Sequence, residues 1–318
     1  MTESPISRRS VLGATPIAAG AGLAGMTGLG VGLGAGLGAG SAFARSTSQT
    51  AEMLEDPAVR ARVRARVIGS CQEEVSMKFY RLNIYGYMGD GNLVPFFTMN
   101  HLSIADWAPA ADNMYNSTTY ECGYYCKFDT DEPIEVWDNP VTGDKRDVFQ
   151  FLGGPFSVNV GADGVVTKDA DLAPQVLRME QIGNLLMVPT IASMILPNFV
   201  DPAKFPKSYS GPSTYWESQA TFAADANDAM NEELSSAPAF CHFQNLASWH
   251  PWLGMGTQPG RTYGNARGVK IKSEAEIPAN IRKDFEKYTP EIFDRKSWTK
   301  PRLDTLEYLA TQTPATAE

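Results

Sequence analysis

His101, His242 and His250 are the three histidines of this 318-residue chain, and what their imidazoles can do depends on their company. His242 stands in a run from Ala239 to Trp249, where Phe240, His242, Gln244, Leu246 and Ser248 alternate with Cys241, Phe243, Asn245, Ala247 and Trp249. A period of two puts the first set on one side of an extended strand and the second on the other. Histidine or glutamate held near neutral pKa among aromatic rings can move protons on a bound molecule. His242, Glu217 and Arg81 are therefore candidate catalytic residues. Asn83, Tyr85, His101, Trp249, His250, Trp252 and Arg267 are candidate substrate-binding residues. The competing reading for each is a solvated outer face.

Several chemistries leave no signature. Beyond the Ala/Gly-rich run near its start, the chain has no glycine-rich phosphate loop, Gly-x-Ser-x-Gly elbow, His-Glu-x-x-His or Cys-x-x-Cys. No two histidines stand at metal-ligand spacing, so neither a metal nor a cofactor is expected. Cys122 and Cys126 fall on the same side of a strand, about 13 Å apart at standard rise, too far to join each other. Any bridge must involve Cys71 or Cys241, and free buried thiols are the alternative.

The elements that must position these groups are mostly strands. Asp56-Pro57 opens a short helix to Arg66, with Arg60, Arg62, Arg64 and Arg66 expected on a solvated surface. From Lys78 the period is two: Tyr80, Leu82, Ile84, Gly86 and Met88 on one side, Phe79, Arg81, Asn83, Tyr85 and Tyr87 on the other. The second side is too aromatic for solvent and too polar for a dry core, so it is expected to line a wet cavity. Gly89 to Asn92 is a hairpin turn with Leu93 to His101 returning, and His101 to Met114 reads as a connection. Further hairpins centre on 138–143 and 161–164. Extended runs follow at 175–188, 213–224, 239–249 and 261–272, and helices at 278–288 and 302–309. Eight to ten strands with helices at the end indicate a mainly β protein, an antiparallel lipocalin-like barrel or sandwich with a few peripheral helices and C-terminal helices.

Ser248 to Gly260 concentrates Trp249, Trp252, His250, two prolines and three glycines just after a strand, the composition of a loop. Its apolar area must fold back onto something. Either it plugs one end of the β-structure, or it is a lid lining a ligand pocket with His250 at the rim. As a lid, Trp252 would matter more to binding than to the fold.

Residues 1–44 read as a twin-arginine leader: Arg8-Arg9, a long Ala/Gly-rich run, and the small-x-small site Ala42-Phe43-Ala44. Residues 45–318 then form a single β-rich domain that acts in the periplasm or outside the cell, with no stable membrane insertion after cleavage. The formal net charge is −9 with the leader included. That balance argues against nucleic acid as a partner.

Trp137-Asp138-Asn139-Pro140-Val141-Thr142-Gly143, Trp249 to Gly256 with Pro259-Gly260, and Ala266-Arg267-Gly268 resemble a bacterial and fungal family catalogued as domain of unknown function 1838. The resemblance runs from roughly Arg66 to Trp298. It implies a single domain, often exported, and supplies no catalytic residues. Barrels like the one expected include binders as well as cofactor-free enzymes. The function expected is an exported cofactor-independent lyase, isomerase or cyclase acting on an apolar or aromatic small molecule, or else a non-catalytic binding protein for such a ligand. A metal-dependent oxidoreductase is a distant third.

Replacing Arg8 and Arg9 by lysine should hold the precursor in the cytosol, read by fractionation, because the export machinery recognises the paired guanidinium groups. Undiminished export would refute the leader.

Overall fold

The period-two run from Glu74 produces β1 (Glu74–Met88), whose side chains alternate between buried and half-buried along its length. The Gly89–Asn92 turn returns the chain into β2 (Leu93–Pro109), and β3 (Tyr115–Cys126) follows antiparallel. The segment expected to be a connection after His101 is instead the second half of β2: Ala105 and Trp107 are buried by packing, and Asp106 sits between them, facing out. The computed structural model describes residues 50–167, 177–298, 300 and 302–315. The expected leader and cleavage site, residues 1–44, lie outside the described residues.

The remaining strands are β4 (Val136–Asp138), β5 (Lys145–Asp147), β6 (Phe151–Val160), β7 (Val165–Thr167), β8 (Glu180–Ile182), β9 (Leu185–Pro197), β10 (Ser213–Asp225), β11 (Phe240–Ala247), β12 (Gly260–Ile271) and β13 (Arg302–Leu303). One antiparallel sheet runs β13-β6-β3-β2-β1-β12-β11-β10-β9-β8, with β7 paired to β6 and β4-β5 forming a separate hairpin. The protein is mainly β, as the strand pattern predicts. The large sheet stays open, though β7 lies against β9.

Helix α1 (Pro57–Ile68) starts where Asp56 Oδ1 accepts from the Ala58 N–H at 2.8 Å and proline takes the first turn. Two of its four arginines correct the solvated-face expectation, while Arg62 is exposed as expected and Arg60 partly so. Arg64 and Arg66 are fully buried. Arg64 donates to the carbonyls of Pro189 (3.0 Å), Ala162 (3.3 Å) and Leu177, and burial pushes it down to about 10. Arg66 donates to Leu234 O (2.6 Å) and Ala229 O (2.7 Å), tying α1 to helix α2 (Ala226–Met230) and the loop after it. Guanidinium groups can be buried here because carbonyls without strand partners surround them.

Two cores result, one on each face of the sheet. The inner core gathers Val63, Val67, Tyr80, Leu82, Trp107, Leu186, Phe222 and Ala266 from α1 and opposite ends of the sheet. The outer core packs Met77, Phe79, Leu102, Ile104, Cys122 and Tyr124 under helix α3 (Ala279–Tyr288) and the 3-10 turns Pro290–Ser297, through Ile281, Phe285 and Ile292. All four cysteines are free, with Cys122 and Cys126 on the outer face.

The loop after β11 is a plug. Trp249, Trp252, Leu253 and Met255 are buried, and Trp252 stacks on Phe97 at 5.4 Å with Tyr125 at 5.2 Å and Trp137 at 5.8 Å. Asn139 locks the two tryptophan-bearing motifs together: its Nδ2 donates to Leu253 O at 3.0 Å while its Oδ1 accepts from the Val141 and Thr142 N–H groups. Arg146 adds a bond to Trp252 O (3.1 Å) and one to Tyr308 (2.9 Å) of helix α4 (Asp304–Thr311). Burial of these side chains is what the plugging role asks of the loop.

Trp252→Ala should therefore lower unfolding stability by about 3–5 kcal/mol, the range for emptying a core tryptophan site. Denaturant unfolding measures it. A loss below about 1 kcal/mol, the scale of changes away from the core, would return Trp252 to the surface.

Candidate functional site

Register alone sorts the polar residues by face. Arg81, Arg267, His242 and Thr221 lie opposite one another across β1, β12, β11 and β10, and Asn83, Asn265, Gln244 and Gln219 form the next row. His242, Gln244, Gln219 and Arg267 are exposed. These rows belong to the outer face of the curled sheet, so the side read as a wet cavity is the outside. Its aromatic character has a local cause: Tyr85 packs against Phe128 at 5.2 Å and Tyr263 at 6.1 Å.

The three candidate catalytic residues are not one group. Arg81 is ion-paired with Asp131. Glu217 is bonded to Tyr215 and accepts from Gln219 Nε2 at 2.8 Å. It stands four residues along β10 from Thr221, the partner of His242, which is about 13 Å at strand rise. His242 and Arg267 do share a shallow depression of about 440 Å³ with Met187, Thr221, Ala223 and Phe240. Asn83 accepts from Thr98 Oγ1 at 3.1 Å. Trp249 donates to Gln258 O at 2.8 Å inside the plug. His250 ties that plug to α4, its Nδ1 lying 3.0 Å from Asp304 Oδ2. Burial alone would lower the His250 pKa, but the hydrogen bond and charge of Asp304 hold it above the ordinary value.

Among the candidates carried on strands, His101 is the one that points inward, and it has ionisable neighbours. Lys78 pairs in register with Lys270 on one side and Ser103 on the other, and Ser103 pairs with Glu121. One row further along run Cys241, Gly268, Tyr80, His101 and Gly123. A Cβ at Gly268 would sit 2.0 Å from the Tyr80 ring, so the glycine is what lets that ring lie flat on the strand. Tyr80 then stacks on His101 at 5.5 Å and 22°. Phe243 meets Tyr80 edge-on at 5.2 Å, and Phe151 meets His101 edge-on at 5.6 Å. Lys78, Tyr80, His101, Ser103 and Cys241 are all buried.

This dry setting moves every titration toward neutrality of charge. Burial pushes His101 down to about 3, helped by Lys78, and both of its ring nitrogens lack a hydrogen-bond partner among the described residues. Burial raises Glu121 against the opposing pull of Lys78 and a hydrogen bond from Ser103. Lys78 is lowered by burial, against the attraction of Cys241 and Glu121. Tyr80 is raised well above its usual value by burial and by Cys241, to which its hydroxyl donates. Lys270 falls to about 7 through burial and the Lys78 charge, although its Nζ donates to Arg66 O (2.9 Å) and Gly69 O (2.7 Å) at the end of α1. A carboxyl shifted up beside an amine shifted down brings the two proton affinities closer together, which is what proton transfer between neighbours needs.

Among the described residues no three His, Cys, Asp or Glu side chains gather as a metal site. A family model described as a protein of unknown function (DUF1838) matches residues 74–304, from the first residue of β1 to the aspartate that holds His250. No curated protein matches the chain.

The histidines should separate in an NMR pH titration. His101 should stay neutral until about pH 3, whereas His250 should titrate above 6.5 and drop when Asp304 is replaced by asparagine. The unfolded chain protonates His101 near 6.5, so the stability from keeping it neutral is full above that value and is lost as pH falls toward 3. The His250–Asp304 contribution runs the other way, full below 6.5 and lost as pH rises through the folded value. A His101 ring titrating near 6.5 would contradict its place inside.

Proposed function

We propose that this chain, which belongs to the DUF1838 family, is an exported enzyme acting without a cofactor on an apolar or aromatic small molecule, moving its protons as a lyase, isomerase or cyclase does. The site is the interior group Lys78, Tyr80, His101 and Glu121. The observation that carries this reading is the convergence of four ionisable side chains, from three adjacent strands, on an interior walled by Phe151, Phe222 and Phe243. A site that merely held an apolar molecule would need none of the four, and each costs stability by its burial. That cost is what favours catalysis over simple binding. Glu121 serves as the acid and, once ionised, as the base. His101, uncharged with both ring nitrogens unpaired, can donate a hydrogen bond to a substrate oxygen without adding charge.

Native mass spectrometry of the protein recovered from the periplasm should find a retained organic mass. His101→Phe, which preserves a ring against Tyr80, should lose it, while His242→Gln and Arg267→Gln on the outer face should keep it. With the ligand identified, Glu121→Gln should bind it and turn it over about 100-fold more slowly or worse, the usual size of a lost general acid-base group. Ligand loss that followed the His242 and Arg267 substitutions instead would move the site to the outer face.

A further inference from the structure

We propose that Lys78 is the nucleophile of this interior site and that its substrate is a carbonyl compound, an aldehyde or ketone bearing an apolar or aromatic group, held as an imine on Nζ. The proposal rests on the interior reading above and adds to it a covalent step. Lys78 and Lys270 are register partners on neighbouring strands, yet their ends are treated differently. Lys270 Nζ is fixed by two carbonyls at the C-terminus of α1, where a helix favours positive charge. Lys78 Nζ has no hydrogen bond among the described residues and lies 5.8 Å above the Phe222 ring, in a side chain that is 6% exposed. Burial without a single hydrogen bond to Nζ leaves the Lys78 ammonium poorly solvated, and the Phe222 ring face offsets that only in part. Desolvation is one of the ways in which a lysine is made nucleophilic.

The neighbours supply the rest of the step. The amine adds to the carbonyl carbon, and the C=O π pair moves to oxygen. That oxygen takes one proton from the nitrogen and one from the Glu121 carboxyl and leaves as water. What remains is an iminium ion beside the Glu121 carboxylate, with no oxidant or reductant consumed. A C–H bond next to the iminium is then acidic, and the carboxylate can take its proton to give an enamine, the common intermediate of lyase and isomerase chemistry. His101 stands one row away to hydrogen-bond the departing oxygen, and Phe151, Phe222 and Phe243 set the preference for an apolar substituent.

Benzylacetone, an aromatic methyl ketone, and sodium cyanoborohydride at pH 7.4 test the assignment on the folded protein, with adducts located by peptide mass mapping. An exposed lysine is neutral roughly one time in a thousand at that pH. The Lys78 peptide should therefore carry the reduced adduct at least about 10-fold above the exposed Lys204 and Lys287, and Lys78→Met should abolish it. If that variant fails to fold, the distribution of adducts in the unmodified protein still decides. Adducts on exposed lysines with Lys78 untouched overturn the imine role. If benzylacetone nevertheless shifts the His101 ring signals by NMR, the acid-base reading survives alone. Neither adduct nor shift overturns both.

Discussion

An open antiparallel sheet that curls toward closure leaves two edges facing each other with carbonyls and amides unpaired, and in this protein a buried arginine spans the gap. Arg64 reaches Pro189 on β9, Ala162 in the turn between β6 and β7, and Leu177 ahead of β8. Each carbonyl left unpaired in such a place would cost about 1–3 kcal/mol. A single planar cation with several donors satisfies groups that no strand register could align. Everything enclosed by the sheet depends on that bridge, because the interior is dry only while its edges are held together.

Inside, the same dryness sets the chemistry. Strand register forces Lys78, Ser103 and Glu121 into one row and Tyr80 and His101 into the next, and low dielectric then penalises any isolated charge. The lysine and the carboxyl shift toward one another, the histidine loses its basicity, and the tyrosine keeps its proton. None of these residues is unusual in type. Their reactivity comes from where the pleat points them.

The sequence pattern of β1 carried the parity of its side chains correctly but not which parity is inside. The reason is that both faces of this sheet are covered in part. Phe79 and Met77 pack under α3 as Tyr80 and Leu82 pack around α1, so apolar content does not distinguish the faces. Arg81, Asn83 and Tyr85 look like cavity residues because they cluster with other aromatics, yet the cluster is on the outside. Residue type points Arg64 and Arg66 to a solvated helix face and gives Lys78 no mark of an interior place, because long cations are seldom buried. A usable signal was present at Lys78: it begins the alternation Tyr80, Leu82, Ile84 and so shares an apolar side. The turns at 89–92, 138–143 and 161–164, the C-terminal helices and the plug composition of 248–260 were legible because glycine, proline and asparagine impose local geometry that no tertiary partner overrides.

The arginine bridge also constrains how the molecule can come together in time. Arg64 lies before the first long strand, while its partner on β9 is 125 residues further on and the one before β8 is 113. Hairpins such as β1-β2 and β9-β10 join neighbours in the chain and need little loop closure, but α1 has nothing to bridge until both edges exist. The seam cannot seal before both edges have formed, and it is held by side-chain donors and not by a strand ladder. A seam of that kind can part without breaking any strand pairing, which makes it a door between the interior row and solvent that leaves the ladder intact.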